Sequence, residues 1–580
     1  MRWITICLAL VSLMTSPTLT AEVWVMSSQI GYDQSDNKVA MVRSDQPDRL
    51  STEATFTLHD DSSDLAHQGQ LVAHGERWAA HWWEADFSSV LTPGRYTLHI
   101  HDGDEVIAES NPIDIGEQLL WEASYPVIGS DYLKTRSQQA RTGVGWRDCG
   151  SDLQEFSSHA VCVDGIADVI KLIAHKGPED QLVFLQDQLI RGCDYMARLQ
   201  DKAEVEGLGR GVVIHEDRDR DVVTGNIAKA AAVFARVSRL IQTHNPEKSA
   251  EYLERAKLAF DWLEDHGPVD PVGEQDFFAA VHGAPKGSAP PDGQWMTRDL
   301  VTMTRAAFEL CRAGEADYQD RAVAYADLLM QRQVPEDEAE HGYFGHFYTY
   351  DHFDSFDGIR FTEKANIHCG AWSKEGRLYN KGGHYPHYLL PLIDMTREWP
   401  DHPDAERWKQ TLHRFAHGYL LPACRSSPFL ILPAGVDREH SLVHFGSWYH
   451  GHNNIYAFTA SLALELGELF DDPQFREIAV ANVQWIAGLN VGKLEGGGEG
   501  EGPAAYLPVS MVYGVGQRSR GSWTKIPGSV CNGFSASRQF KIKPITPATD
   551  LPIHFDDEAY IAHSLPYLAA LARLEAYRSE

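Results

Sequence analysis

The sequence predicts two domains, a small antiparallel β-sandwich followed by an all-α toroid of helical hairpins. Its 580 residues are 43% hydrophobic, which is enough to bury at least one large core. Short runs rich in Val, Thr, Trp and Tyr fill residues 22–115, whereas apolar residues recur at three- and four-residue spacing from about residue 120 onward. No run of β-α-β units interrupts the second region, so a parallel-sheet architecture is not predicted.

Composition excludes several classes of protein. The chain has 51 Lys and Arg against 82 Asp and Glu, a formal charge of −31, and no dense basic stretch. Such a surface repels phosphate backbones, so we expect no nucleic-acid partner. Neither disorder along the whole chain nor a collagen-like repeat fits this hydrophobic content.

Residues 1–21 have the pattern of a secretory signal peptide. Arg2 precedes an apolar run from Ile4 to Met14, and small residues follow up to Ala21. A membrane span needs about 20 apolar residues, and this run is about half that length. We therefore expect a secreted or periplasmic protein without a membrane span.

The segment 22–115 is predicted to form the sandwich. Strand-like runs occupy Lys38–Val42, Ala54–His59 and Arg95–His101, and clusters of turn residues separate them. Strands of this length and spacing favour a small antiparallel sandwich that serves as an accessory domain.

The segment 120–580 is predicted to be the toroid. Helical periodicity occupies segments that mostly come as adjacent pairs, namely 166–175, 181–199, 226–242, 248–264, 297–313, 317–332, 384–396, 403–420, 451–469, 473–488 and 557–576. Helical pairs without intervening strands favour a toroid of α/α hairpins over other all-α folds. The long connections 266–295, 334–383 and 490–556 do not suit a solenoid with a fixed repeat, and long loops in a compact domain are usually functional.

Several short motifs resemble those of a known enzyme family. Ser28–Tyr32, Lys38–Val42, Asp86–Ser89 and Thr92–Tyr96 resemble the immunoglobulin-like domain that precedes many cellulase-type catalytic domains. Together with the helical region, they make the chain similar to glycoside hydrolase family 9. The resemblance implies an (α/α)6 barrel behind an immunoglobulin-like sandwich.

Two later motifs carry the resemblance into the helical region. Trp485–Asn490 resembles the stretch before the family's late active-site loop, and Asp557–Ile561 resembles the stretch that holds its proton donor. By that match, Glu558 is the expected general acid.

The family's water-holding Asp-Ala-Gly-Asp motif has two candidate counterparts here. One is the pair Asp148 and Asp152, and the other is the pair Asp164 and Asp168; both are spaced one residue wider than in the family. An inverting glycosidase needs a carboxylic acid and a carboxylate about 6.5–9.5 Å apart. Asp164 and Asp168 would share a helix face and hold one water, although an Asp early in a helix is also favoured by the helix dipole alone. Both pairs stay open at this stage.

A second group of polar and aromatic residues suggests a different chemistry. Tyr449 and His450 sit beside further polar residues before a strongly apolar helix, and a Tyr or His of this kind could remove the C5 proton of a uronic acid. Metal binding by His450 and His452 is not expected, because no third ligand can be assigned. The residues we expect to contact substrate are His384, His387, His452, Asn453, Trp448 and Trp372.

One acidic stretch bears on cofactors. Glu216–Asp221 alternates acids as a calcium-binding loop does, but it lacks that loop's glycine and final glutamate. A solvated turn is the simpler interpretation, with Ca²⁺ as the alternative. No cofactor is expected to be required.

Taken together, these features predict a secreted glycoside hydrolase that degrades a β-linked glucan or a related polysaccharide or oligosaccharide. The first alternative is a polysaccharide lyase that cleaves a uronic-acid-containing glycan by β-elimination with the His and Tyr cluster. The second alternative is an inactive glycan-binding protein that has kept the barrel.

Overall fold

A computed structural model gives the architecture of the chain. The residues that it describes are 23–218, 220–268, 295, 297–339, 342–347, 369–374, 377–381, 389–433, 435–436, 442–444, 451, 453–496, 503–534 and 557–578.

The first part of the chain folds into two facing β-sheets. One sheet has the order β1-β3-β7-β6, and the other has the order β2-β10-β8-β4-β5 with β9 also paired to β8. All pairings in these two sheets are antiparallel except that of β2 with β10. The strands are β1 Val23–Met26, β2 Tyr32–Asp33, β3 Val39–Ser44, β4 Thr55–Asp60, β5 Leu65–Gln70, β6 Val72–Arg77, β7 Ala80–Asp86, β8 Gly94–Asp102, β9 Glu105–Glu109 and β10 Ile113–Gly116.

Alternating side chains of these strands build the core of the sandwich. In β8, Tyr96, Leu98 and Ile100 are buried while the residues between them are partly exposed, as expected for a strand with one face inward. The Tyr96 hydroxyl donates to the backbone oxygen of Thr92 at 2.8 Å and so fixes the corner that leads into β8. The Thr92–Tyr96 motif thus has a structural role.

The remainder of the described chain is mostly helical. The helices are α1 Leu119–Pro126, α2 Leu133–Gln138, α3 Phe156–Lys176, α4 Glu179–Val205, α5 Thr224–Leu240, α6 Pro246–His266, α7 Thr297–Arg312, α8 Gln319–Met330, α9 Leu390–Glu398, α10 Ala405–His413, α11 Leu421–Arg425, α12 Asn453–Phe470, α13 Gln474–Ala487 and α14 Ile561–Tyr577. Segments of π-helix, Val127–Tyr132 and Arg414–Leu420, join α1 to α2 and α10 to α11.

Six of these helices form a closed inner ring. α3 packs against α5, and the ring continues through α7, α9, α12 and α14 before it returns to α3. Each inner helix also packs against an outer partner: α4 on α3, α6 on α5, α8 on α7, α10 on α9 and α13 on α12, with α1 covering α14. This is the predicted α/α toroid, and the predicted fold class is confirmed.

Contacts between the inner helices show that they run in the same direction. The backbone N–H of Ile561, at the start of α14, donates to the oxygen of Asp148 just before α3 at 2.8 Å. The N–H of Asn454, at the start of α12, donates to Nδ1 of His563 in the first turn of α14 at 2.9 Å. The amino ends of these inner helices therefore meet at one end of the barrel.

Helical periodicity in the sequence does not predict α1 or α2. The sequence from α1 to α2 contains Pro126 and Gly129, two residues that weaken a helical pattern. The chain forms the π-helical turn Val127–Tyr132 directly after Pro126. Within this turn Gly129 packs closely against Tyr125, and a Cβ added to Gly129 would lie 2.7 Å from the Tyr125 ring. The α1–α2 segment is therefore helical because it packs on α14, and not because of its local helix propensity.

Two motifs that are far apart in sequence meet where the sandwich joins the barrel. The Gln29 N–H donates to the oxygen of Ala487 at the end of α13 at 2.9 Å. Gly488 follows with φ 124°, and a Cβ there would lie 2.6 Å from the Gln29 side chain. Ser28–Tyr32 and Trp485–Asn490 are therefore two halves of one interface between the domains.

Three two-stranded pairs lie outside the sandwich. β11 Cys369–Lys374 pairs with β12 Arg377–Lys381, β13 Gly435–Val436 with β14 Leu442–Val443, and β15 Lys493–Glu495 with β16 Ala505–Leu507. Over the same described residues, none of the helices combines the length and the apolar character needed to cross a bilayer. The cysteines whose side chains are described are free thiols: Cys149, Cys162, Cys193, Cys311, Cys424 and Cys531.

Candidate active site

Three carboxyl groups converge at the amino ends of α3 and α14. Asp148 and Glu155 come from the loop that enters α3, and Glu558 lies three residues before α14. All three are buried, with Asp148 and Glu155 at 0% and Glu558 at 5% exposure. We call these three residues the carboxyl cluster.

Backbone hydrogen bonds hold the Asp148 side of the cluster. The Glu155 N–H donates to Asp148 Oδ2 at 2.6 Å, and the Asp148 oxygen accepts from Ile561 as described above. Arg136, from α2, donates to the oxygen of Cys149 at 2.8 Å and also contacts the oxygen of Ala559. One buried guanidinium thus ties the Asp148 loop to the segment that carries Glu558.

Backbone pairing with residues 531–532 holds the segment that carries Glu558. Asn532 N–H donates to the Glu558 backbone oxygen at 2.7 Å, and Cys531 pairs with Ala559 as an isolated antiparallel bridge. His563 Nε2 lies 2.8 Å from the Asn532 side-chain oxygen, which links the bridge to α14. The Glu558 backbone is therefore fixed on both sides.

Gly150 allows an aromatic ring to approach the cluster. A Cβ on Gly150 would lie 2.5 Å from Trp523 Cε3 and 3.2 Å from Glu558 Oε1, so no larger residue fits. Trp523 is only partly buried, and its backbone N–H donates to the oxygen of Asp557 at 3.3 Å. A partly exposed Trp beside a carboxyl group is suited to stack on a sugar face.

The cluster raises the proton affinity of its own members. Burial, followed by the charges of Glu155 and Asp148, raises the pKa of Glu558 from 4.5 to about 8. Burial and the Glu155 charge also raise the pKa of Asp148. Like charges in a dry site cannot all ionise together, so one carboxyl holds a proton at neutral pH while another can ionise.

Asp152, the second residue of the predicted Asp148 pair, does not join the cluster. Its side chain is 65% exposed, and its Oδ2 lies 3.2 Å from the Arg218 guanidinium. This carboxylate is therefore exposed to solvent, outside the buried site.

Asp164 and Asp168, the other predicted pair, lie deeper in the barrel among arginines. Asp164 accepts two hydrogen bonds from Arg305, at 2.6 and 2.7 Å, and one from Arg236 at 2.9 Å. Asp168 pairs with the same Arg236 and with Arg573, the latter at 3.1 Å. The two residues share a helix face as predicted, but guanidinium groups neutralise both, and the structure does not bring them to Glu558.

Most of the polar residues predicted to act with Tyr449 lie outside the part of the chain that the structure describes. Tyr449, His450, His452, Trp448, His384 and His387 lie outside the described residues and stay predictions. Trp372 falls within β11, where only the backbone is described. Asn453 begins α12 fully buried, and its side chain donates to the oxygen of Cys531 at 2.8 Å, so in this structure it braces the Glu558 segment.

The acidic stretch predicted as a solvated turn or a calcium loop lies beside the site. Arg141 pairs with Glu216 at 2.8 Å and also with Asp217, while Arg218 pairs with Glu216 at 3.0 Å. Arginines thus neutralise these acids. Among the described residues, no group of three or more His, Cys, Asp or Glu side chains is arranged to hold a metal ion, and the cofactor expectation stays a prediction.

Sequence reasoning missed Glu155 and His215. Glu155 precedes α3 directly, and an acid before the first helical residue is a detectable signal, although helix dipoles favour acids there for structural reasons as well. His215 Nε2 lies 3.3 Å from Glu155 Oε1, but nothing in the sequence around residue 215 marks that contact.

Comparisons with known proteins agree with this architecture. Residues 20–105 match the family described as the cellulase N-terminal ig-like domain. A search of curated proteins gives no match.

Solved structures match over nearly the whole chain. A metagenome-derived glycoside hydrolase family 9 endoglucanase superposes with a TM-score of 0.63 at 16% identity, covering 95% of this chain and 98% of that chain. A family 9 glycoside hydrolase from Bacteroides ovatus gives 0.62 at 15% identity, with 95% and 99% covered. AaCel9A in complex with cellobiose-like isofagomine gives the same values. The chain therefore has the fold of the glycoside hydrolase family 9 endoglucanases, behind an N-terminal segment that matches the cellulase ig-like domain.

Proposed function

We propose that this protein is a glycoside hydrolase that cleaves a polysaccharide or oligosaccharide, with Glu558 as general acid and Asp148 as general base. The observation that carries the proposal is the carboxyl cluster, which brings these two side chains together from distant parts of the sequence. Fold likeness to endoglucanases agrees with this reaction class.

The carboxyl cluster suits the two proton transfers that inversion requires. Glu558, with a pKa raised to about 8, is protonated at neutral pH and can donate its proton to the departing glycosidic oxygen. Ionised Asp148 takes a proton from water as that water attacks the anomeric carbon from the opposite face. The bond to the leaving sugar breaks and a bond to the water oxygen forms; Asp148 then releases its proton to solvent and Glu558 takes one up, which restores both groups.

A glucan or a related glycan is the proposed substrate class. Trp523 beside Gly150 offers an aromatic face next to the proposed acid. The proteins with the same fold include endoglucanases, one of them bound to a cellobiose-like ligand. Export, inferred from the pattern of residues 1–21, would bring the enzyme to such a polymer.

Substitution Glu558→Gln tests the proposal. We expect turnover on the natural glycan to fall by at least ~10²-fold, because the leaving oxygen no longer receives a proton. An aryl glycoside with an acidic phenol leaves without protonation, so its turnover should fall far less. Glu468→Gln, at an exposed carboxylate of α12 that pairs with Arg397, is the matched control and should keep wild-type rates on both substrates.

Product analysis separates this proposal from its alternatives. New reducing ends without new ultraviolet absorbance indicate hydrolysis, whereas absorbance from an unsaturated uronate indicates a lyase. Binding without any product indicates a silent glycan-binding protein. Equal losses on both substrates in Glu558→Gln would remove Glu558 as the proton donor.

A further inference from the structure

The connection between α4 and α5 brings a histidine to the carboxyl cluster. His215 is 1% exposed, and its Nε2 lies 3.3 Å from Glu155 Oε1. Its backbone oxygen accepts from the N–H of Phe156 at 2.8 Å, and its N–H donates to the oxygen of Asp221 at 2.8 Å. The imidazole is therefore positioned by backbone bonds on both sides and faces the Glu155 carboxyl.

Charged residues after His215 hold this connection against the Asp148 loop. Arg141 pairs with both Glu216 and Asp217, and Arg218 reaches Asp152 at 3.2 Å. These pairs account for Glu216, Asp217 and Arg218, each of which contacts an opposite charge. The ion pairs dock His215 at the cluster.

Glu155 interacts with both proposed catalytic residues, Asp148 through a hydrogen bond and Glu558 through its charge. Its backbone N–H donates to Asp148 Oδ2 at 2.6 Å, which orients the proposed base. Glu155 and Glu558 are both buried, and the charge of Glu155 acts on the Glu558 carboxyl. A negative charge at this position favours the protonated form of its neighbours.

We infer that Glu155, held by His215, is a positioning residue that keeps Glu558 in its proton-donating form and orients the Asp148 carboxylate. This inference rests on the proposed hydrolysis. Glu155 itself exchanges no proton with substrate in this scheme; it acts through its charge and its backbone N–H.

The electrostatics agree with this geometry. After burial, the Glu155 charge contributes most to the raised pKa of Glu558, ahead of Asp148. The charge of Glu155 also raises the pKa of Asp148, while its backbone N–H lowers it. Among the described residues, other titratable or charged groups around Glu558 are Cys149 from the loop before α3, Tyr560 before α14, Arg136 from α2, and Asp557 with its partner Arg520.

The pH profile of Glu155→Gln tests the inference. Activity needs Asp148 ionised and Glu558 protonated, so the acidic limb of kcat/KM follows Asp148 and the basic limb follows Glu558. Without the Glu155 charge, both pKa values fall, and we expect both limbs to move to lower pH by roughly one unit. A lower rate with unmoved limbs would overturn the inference and leave Glu155 with a purely structural role.

Two substitutions at His215 provide an independent test. Gln can place an N–H near the position of the imidazole Nε2, so His215→Gln should keep the wild-type profile. Phe removes that contact and leaves the buried Glu155 carboxylate less favourable, so His215→Phe should move both limbs to lower pH, as Glu155→Gln does. Identical profiles for the Gln and Phe variants would contradict the proposed contact.

A spectroscopic measurement separates this inference from the proposed function. Infrared difference spectra between the wild type and Glu558→Gln report the protonated Glu558 carboxyl directly, whether or not the enzyme turns over a chosen glycan. In the Glu155→Gln background the Glu558 band should disappear at a lower pH than with Glu155 present. An unchanged midpoint would overturn the inference even if hydrolysis is confirmed, and a shifted midpoint would support it even if no substrate is cleaved.

Discussion

The two halves of the inner helix ring use carboxylates in opposite ways. At the amino ends of α3 and α14, the charges of Asp148 and Glu155 act on Glu558, and the pKa of Glu558 rises to about 8. Further along the same helices, Asp164 and Asp168 face arginines. One half places carboxyl groups beside one another, and the other half pairs each carboxylate with arginines.

The charged residues of the neutralised half lie at the same depth along their helices. Four of them each lie twelve residues after the first residue of their helix: Asp168 in α3, Arg236 in α5, Glu465 in α12 and Arg573 in α14. These four side chains form ion pairs with one another around the ring. Equal depth on parallel helices places the four side chains at one level, about 18 Å from the amino ends. We call this set the arginine-carboxylate layer, to which Asp164 and Arg305 add one level closer to the site.

This comparison shows that an acidic residue has no fixed role until its neighbours are known. Arginines beside a buried carboxylate stabilise its charge and hold helices together, whereas carboxylates beside a buried carboxyl group favour its neutral form. Three substitutions test whether the two halves differ in this way.

The largest expected effect is on catalysis at the carboxyl cluster. Asp148→Asn should lower turnover by about 10²–10⁴-fold, since the attacking water loses its base, with little change in the free energy of unfolding. Steady-state rates on a soluble glycan and urea unfolding curves measure the two quantities. Asp152→Asn, an exposed carboxylate four positions along, is the matched control and should retain activity, since the pairs of Arg141 with Glu216 and Asp217 still hold the His215 connection. A reversed result would assign the base to Asp152.

The next effect is on stability at the arginine-carboxylate layer. Asp164→Asn removes the charge that faces Arg236 and Arg305, both of which are buried, so we expect the free energy of unfolding to fall by about 3–5 kcal/mol. Activity per folded molecule should change little under conditions where the variant is folded. Loss of activity at unchanged stability would place Asp164 in the reaction and abolish the contrast between the two halves.

The most gradual effect is a pH dependence of stability at Glu558, which builds up over several pH units. Its pKa is about 8 in the folded state and near 4.5 when unfolded, so between these values the folded state binds more protons. The free energy of unfolding contributed by this group therefore falls as pH rises, by up to ~1.4 kcal/mol per pH unit. Unfolding curves from pH 5 to 8 should be flatter for Glu558→Gln than for the wild type. Parallel curves would show that Glu558 does not hold its proton.

Much of the fold could be predicted because it depends on periodic patterns. Residues 181–199 and 226–242, among others, repeat apolar positions with the helical period, and the structure has α4 and α5 there. The segment from α1 to α2 was not predicted, because Pro126 and Gly129 interrupt its pattern and only packing on α14 restores it.

Less of the site could be predicted, because spacing does not reveal which acids share a pocket. Glu558 and Asp148 were among the predicted catalytic residues, and the structure brings them together; their roles stay predictions. Asp164 and Asp168 matched the same spacing rule, yet their neighbours are arginines from α5, α7 and α14. Likewise, Trp485–Asn490 resembles a stretch that precedes an active-site loop, but Gln29 and Gly488 show that it also joins the domains.

The sequence by itself determined that strands come first and paired helices follow, since hydrophobic periodicity is a local property that any stretch of chain displays. It also determined that acidic residues would outnumber basic ones across the molecule. Only the tertiary structure decided which acids meet other acids and which meet arginines. The reason is that burial and charge act through space over a few ångströms, so distant segments set the protonation of each carboxyl group.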